Sequence, residues 1–143
     1  MMMNLKKWAF SSAENSPSLD LGLLILRLSF GLAMAFAHGL GKVPPSERFI
    51  EGVSSMGFPF PVFFAWSAGL SEFVGALLIA AGLLTRPSAV LLAGTMFVAA
   101  FIRHGADPFN QKELALLYFA FSLAFIFLGA GRFSLDAIIR KKI

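Results

Sequence analysis

Apolar residues form four long runs along the chain, and short segments between the runs hold most of the charged residues. The runs cover approximately residues 21–40, 62–84, 88–102 and 114–130. A helix of about 20 apolar residues is long enough to cross the roughly 30 Å hydrocarbon core of a bilayer. The pattern therefore predicts an all-α integral membrane protein whose four spanning helices pack as a four-helix bundle.

The composition supports a single membrane domain. Hydrophobic residues make up 57% of the chain and charged residues only 14%, and the mean hydropathy is +0.77. A typical soluble domain has about 25% charged residues. The segments outside the runs are too short for a second globular domain. We expect an N-terminal interfacial tail over residues 1–20, a transmembrane domain over 21–131 and a basic C-terminal tail over 132–143.

The basic residues are distributed unevenly between the two sides of the predicted bundle. Seven Lys and Arg residues lie on the side of the termini, four on the opposite side and Arg27 within the first run, which accounts for all 12. Lys and Arg are enriched in cytoplasmic loops. Both termini are therefore predicted to be cytoplasmic. The net charge of +4 does not form one basic surface, so we expect no nucleic-acid partner.

Local signals set several helix ends. Asp20 is the expected N-cap of the first span, because its carboxylate can accept hydrogen bonds from the free amides of the first turn. Residues 46–53 predict a short amphipathic helix on the outer surface. The second span should begin at Pro61 or just after it. Only residues 85–87 remain between the second and third spans, which must then form a tight antiparallel hairpin.

Small residues recur every four positions on the first two spans, and such stripes let helices approach closely in a bilayer. Glu72 shares a face with two of them, Ala68 and Ala76, so it should face protein and not lipid. The stripes are Gly31, Ala35 and Gly39 on the first span, and Ser67, Ser71 and Gly75 with Ala68, Ala76 and Ala80 on the second.

Arg27 and Glu72 form the most informative feature of the sequence, because each interrupts an apolar run. A charge at the bilayer centre costs roughly 2.5–3.5 kcal/mol on insertion scales, so such residues face the bundle interior. Helix geometry places Arg27 only about 5 Å from the level of Glu72, which makes an ion pair feasible. The pair could fasten the first two helices together. Alternatively it could belong to a ligand or proton site in which the charge of Glu72 depends on Arg27.

A second polar group is predicted at the outer ends of the helices. Histidine exchanges protons near neutral pH, as quinone reduction or quinol oxidation requires. The alternative is a rim of long side chains that reach out to water. Two histidines are too few for a metal site, and the absence of cysteine excludes thiol chemistry. The five residues of this candidate ligand or proton site are His38, Lys42, Arg103, His104 and Glu113.

Short motifs in a fixed order resemble the DoxX family of small four-helix bacterial membrane proteins. They are Arg27 in the first span, HGLGK at 38–42, GFPFP at 57–61, EFVGALL at 72–78 and GLLTR at 82–86. The resemblance covers approximately residues 20–130. It implies a multi-pass protein of the bacterial inner membrane, related to subunits linked with terminal quinol oxidases and thiosulfate:quinone oxidoreductases. Its recurring polar residues correspond here to Arg27, His38, Lys42 and Glu72.

Two functions of different classes follow from the resemblance. The first is a quinone-linked redox component or a subunit of a membrane oxidoreductase. The second is a non-catalytic membrane anchor that organises partner proteins. No cofactor motif occurs in the sequence, so electron transfer would need a bound quinone or a partner subunit. We therefore do not expect the protein to be catalytic alone, and the sequence assigns no catalytic residue. Transport of protons or small solutes is less favoured, because no pair of broken helices is evident.

Overall fold

The computed structural model describes residues 5–10 and 16–142, and every regular element in this part of the chain is helical. Four helices are long and apolar enough to cross a membrane, which confirms the predicted architecture. In chain order the elements are α1 (Leu5–Phe10), α2 (Pro17–Lys42), α3 (Glu47–Ser55), α4 (Pro61–Ala81), α5 (Thr85–Arg103), α6 (Phe109–Leu128) and α7 (Leu135–Arg140), of which α2, α4, α5 and α6 are the four spans.

The four spans alternate in direction, so the two ends of the bundle differ. The short helices α1 and α7 contact each other at one end, which we call the terminal end. The connections 43–60 and 104–108 lie at the opposite end, which we call the loop end. The outer ends predicted from the sequence correspond to the loop end. The cytoplasmic position of the termini stays a prediction.

The start of α2 differs from the predicted start. Ser16 is the N-cap, and its hydroxyl accepts a hydrogen bond from the Leu19 amide at 3.3 Å. Pro17 follows at the first helical position, where the missing N–H costs nothing. The prediction that Asp20 caps this helix was therefore wrong. The Asp20 carboxylate lies one turn further on and accepts a hydrogen bond from the Arg132 amide at 2.9 Å.

The connection before α4 is as predicted from the sequence, whereas the hairpin after α4 lies three residues earlier than predicted. The surface helix α3 forms as predicted, and α4 begins at Pro61 as predicted. The hairpin between α4 and α5 is formed by residues 82–84 and not by 85–87, so α5 begins at Thr85. Pro87 is accommodated because it lies in the first turn of α5, where no helical hydrogen bond is lost.

Three of the spans contain a π-helical turn, which lies in the half nearest the loop end in α2 and α5 and at the middle of the span in α4. The turns are Ala35–Gly39 in α2, Ser71–Gly75 in α4 and Val98–Arg103 in α5. A π turn changes which side chains share a face, and such turns occur frequently at functional sites. All three therefore alter the direction of the side chains in these parts of the spans.

The small-residue stripe of α2 packs directly against α4. A methyl group at Gly31 would come within 2.5 Å of the Ala76 carbonyl oxygen, and one at Gly39 within 2.5 Å of the Phe73 amide nitrogen. Glu72 is 3% exposed, which confirms that this residue faces protein. The backbones of α2 and α4 approach closely because these positions carry no side chain.

We expect Gly39→Ala to lower the free energy of unfolding by about 1–3 kcal/mol, because the new methyl group would overpack against α4 backbone that cannot yield easily. The measurement is reversible unfolding in detergent micelles. Gly22→Ala is the matched control in the same helix, because among the described residues no atom outside the neighbouring helical backbone lies within 4 Å of its Cβ position. Equal stability of the two variants would show that the α2–α4 contact is looser than the structure indicates.

Candidate functional site

Arg27 lies at the terminal end of the bundle and is fully buried, with 0% exposure. Its guanidinium donates hydrogen bonds to the carbonyl oxygens of Ile79 at 3.3 Å and Ala80 at 3.1 Å, near the end of α4. A third bond goes to the carbonyl oxygen of Phe133 at 2.6 Å. Arg27 therefore connects α2 to the last turn of α4 and to the segment that precedes α7.

The same segment is tied to the α4–α5 hairpin by Asp136. This carboxylate is 3% exposed and accepts hydrogen bonds from the amides of Leu84 at 2.7 Å and Thr85 at 3.0 Å. The Asp136 amide donates to the Gly82 carbonyl oxygen at 2.8 Å. Residues 132–140, which the sequence predicted to be a basic tail, thus include a helix and close the terminal end. Nothing in the sequence marks Asp136 as the cap of a distant helix.

Glu72 belongs to a separate network at the loop end. Its Oε2 forms an ion pair with the Lys42 Nζ at 2.5 Å, and the Lys42 ammonium also lies 5.4 Å from the centre of the Phe49 ring. The Lys42 side chain is 33% exposed. Among the described residues, Arg27 and Glu72 do not form an ion pair, although both are buried as expected. Arg27 instead bonds to α4 about two turns beyond Glu72, roughly 12 Å along the helix.

A cavity of about 660 Å³ lies beside this ion pair, between the surface helix α3 and the spans α4 and α5. Apolar side chains contribute most of its lining, and polar side chains of α4 and α5 add to it. Lys42, Glu72, Arg103 and His104, which the sequence singled out, all line it. The further polar residues of the lining are Ser46, Arg48, Ser67, Ser71 and Thr95, and its larger apolar residues are Phe49, Val53, Met56, Phe58, Phe64, Leu91 and Val98.

Ser71 is the least satisfied polar group in the lining of this cavity. It is 6% exposed, and its hydroxyl has no hydrogen-bond partner within the described part of the chain. Buried polar groups are nearly always hydrogen-bonded, so an unpartnered hydroxyl beside a cavity is consistent with a ligand or water at this position. The sequence placed Ser71 in a small-residue stripe and gave no signal for this role.

His104 is held in place by Asp107. The His104 Nδ1 and Asp107 Oδ2 atoms are 2.7 Å apart, and both side chains are about one third exposed. A carboxylate that accepts from Nδ1–H leaves Nε2 able to accept a proton. Asp107 was missed in the sequence, although its spacing of three residues from His104 permits this contact.

The other two residues of the predicted outer cluster lie outside the cavity. The His38 ring packs edge-on against the Tyr118 ring of α6, with 5.7 Å between ring centres. Glu113 is exposed on α6. The described residues contain no group of three or more His, Cys, Asp or Glu side chains that could hold a metal ion.

Comparisons with known proteins agree with the architecture. A family model described as DoxX matches residues 22–105. A Haemophilus influenzae protein is 42% identical over 82 residues, which cover 52% of this chain and 61% of that protein. The Bacillus subtilis protein named "Putative oxidoreductase CatD" is 31% identical over 87% of this chain and 91% of its own length. The Escherichia coli "Inner membrane protein YqjF" is 30% identical over 86% of this chain and 95% of its own length. No solved structure matches the chain at a significant level.

Proposed function

Because this chain belongs to the DoxX family of membrane proteins, we propose that it is a quinone-linked redox component of the bacterial inner membrane. The cavity at the loop end is the proposed site of the quinone headgroup. The observation that carries the proposal is a largely apolar cavity between α3 and two of the candidate membrane spans, with an unpartnered Ser71 hydroxyl in its lining.

The size and lining of the cavity suit a quinone headgroup. Small-molecule sites usually enclose about 300–1,000 Å³ and combine apolar walls with a few polar groups. The cavity volume of about 660 Å³ falls within this range. A quinone ring is flat and carries two carbonyl oxygens, which can accept hydrogen bonds from the buried Ser71 hydroxyl and from the exposed Arg103 at the edge of the cavity. The isoprenoid tail would extend into the surrounding lipid.

Proton transfer at the proposed site is assigned to His104, with Asp107 as its positioning residue. Conversion between quinone and quinol moves protons as well as electrons, and histidine is suited to this exchange near neutral pH. The chain has no cysteine, and we assign electron transfer to a partner oxidoreductase subunit. The name of the Bacillus subtilis relative supports a redox role, and that of the Escherichia coli relative supports the inner membrane.

The proposal is tested by filling the cavity without touching its polar groups. Gly94 lines the cavity and has open space at its Cβ position. We expect wild-type protein purified in mild detergent to retain quinone detectable by mass spectrometry, and Gly94→Leu to lose at least about nine-tenths of it because the new side chain occupies the site. Gly22→Leu is the matched control, because Gly22 also has open space but lies outside the cavity.

The opposite result would favour the second function. If wild-type protein retained no quinone and bound none when it was added, the quinone-linked proposal would fail. Co-purification of the same oxidoreductase subunit with wild type and Gly94→Leu would then support the membrane anchor.

A further inference from the structure

We propose that the cavity binds the reduced quinol more tightly than the oxidised quinone, and that Glu72 is the residue that distinguishes the two forms. This inference rests on the proposed function and specifies which redox form of the quinone the cavity prefers. It follows from the hydrogen-bonding chemistry of the buried polar groups that line the cavity.

The two redox forms differ in their hydrogen-bonding groups. A quinol carries two hydroxyl groups that can donate, whereas a quinone has only carbonyl oxygens that accept. An ionised carboxylate accepts hydrogen bonds and cannot donate. Glu72 lines the cavity and is paired with the Lys42 ammonium through Oε2. Its remaining lone pairs can therefore accept from a quinol hydroxyl but offer nothing to a quinone carbonyl.

Ser71 contributes affinity without contributing preference. Its hydroxyl precedes Glu72 in the same π turn, lines the same cavity and has no partner within the described residues. A hydroxyl can both donate and accept. It can therefore bond to either redox form, which separates its role from that of Glu72.

The basic residues of the lining do not cancel this preference. The ammonium of Lys42 donates to Glu72 and lies beside the Phe49 ring, and because this side chain is 33% exposed its remaining N–H groups can bond to water. Arg48 and Arg103 are exposed, and hydrogen bonds and charges in contact with water contribute little to binding. When the His104 Nδ1–H donates to the Asp107 carboxylate, the His104 Nε2 is a further, partly exposed acceptor. The buried polar groups of the lining are therefore Glu72, which only accepts, and Ser71, which can donate or accept.

The test compares two short-chain probes, decylubiquinol and decylubiquinone, bound to the full-length protein in detergent under anaerobic conditions. We expect the wild type to bind decylubiquinol roughly tenfold more tightly, which corresponds to one hydrogen bond to a charged group. In Glu72→Gln the ratio should fall to about one, because an amide can both donate and accept. Ser71→Ala should weaken both probes by a similar factor and keep the ratio.

Two further variants distinguish a specific role of Glu72 from a general effect of charge loss or misfolding. Glu113→Gln removes an exposed carboxylate at the loop end outside the cavity and should change neither affinity. If Glu72→Gln alone does not yield folded protein, the double variant Lys42→Met/Glu72→Gln removes both charges and should also give a ratio of about one.

Each outcome has a distinct meaning. Equal binding of both probes to the wild type overturns this inference and leaves the proposed function intact. A tenfold preference that persists in Glu72→Gln overturns the role of Glu72. Failure of the wild type to bind either probe overturns the proposed function itself.

Discussion

Arg27→Met is expected to lower the free energy of unfolding by about 3–5 kcal/mol, which is typical for removing one member of a buried charged network. The variant deprives three carbonyl oxygens, from Ile79, Ala80 and Phe133, of the bonds that the guanidinium donates. The Asp136 carboxylate, which attracts the Arg27 charge, would also remain buried without it. Methionine fills part of the volume but supplies no donor.

The effect is measured by reversible unfolding in detergent micelles and by limited proteolysis at the terminal end. The segment before α7 should become more easily cleaved in Arg27→Met, because the bond from the Arg27 guanidinium to the Phe133 carbonyl oxygen is lost, although the Asp20–Arg132 bond still joins this segment to α2. Arg27→Lys should lie between wild type and Arg27→Met, because an ammonium keeps the charge but cannot reproduce the planar arrangement of donors. Arg103→Met changes an exposed arginine and is the control for loss of charge. Wild-type stability of Arg27→Met would contradict a structural role.

The burial of Arg27 and Glu72 could be predicted from the sequence, but their partners could not. Burial follows from the cost of placing a charge in lipid, which depends only on the position along the span. The partner depends on the rotation of each helix and on the direction of each side chain. Arg27 is directed towards carbonyls at the end of α4, whereas Glu72 is directed towards Lys42. The spacing along two antiparallel helices made an Arg27–Glu72 pair feasible. It gives neither the rotation of the helices nor the direction of the side chains.

The outer cluster shows a second limit of the sequence pattern. His38 and Lys42 are four residues apart and would share a face of a regular α-helix. In the structure this part of α2 is a π turn followed by a 3₁₀ turn. Only Lys42 consequently lines the cavity, while His38 packs against Tyr118. The cavity also needs α3 as one of its walls, and the position of a surface helix over a bundle cannot be derived from its amphipathic pattern.

We expect the two single substitutions in the Lys42–Glu72 ion pair to lower the free energy of unfolding by clearly different amounts. Lys42→Met should lower the free energy of unfolding by about 3–5 kcal/mol, because it leaves the 3% exposed Glu72 without its counter-charge. Glu72→Gln should cost only about 1–2 kcal/mol. The cost is smaller because the Lys42 side chain that remains is already 33% exposed and can extend to water at the loop end. The double variant Lys42→Met/Glu72→Gln should be more stable than Lys42→Met alone, because no unpaired charge remains buried.

A double-mutant cycle of these variants, followed by reversible unfolding in micelles, measures the coupling of the pair. Arg48→Met removes an exposed basic residue from the same cavity and is the control for the local potential. If Glu72→Gln lowered the free energy of unfolding more than Lys42→Met, the ion pair would stabilise the buried position of the lysine and not that of the carboxylate. Glu72 would then stay charged beside the cavity without Lys42, and the preference for a hydroxyl donor would depend on Glu72 and the cavity lining alone.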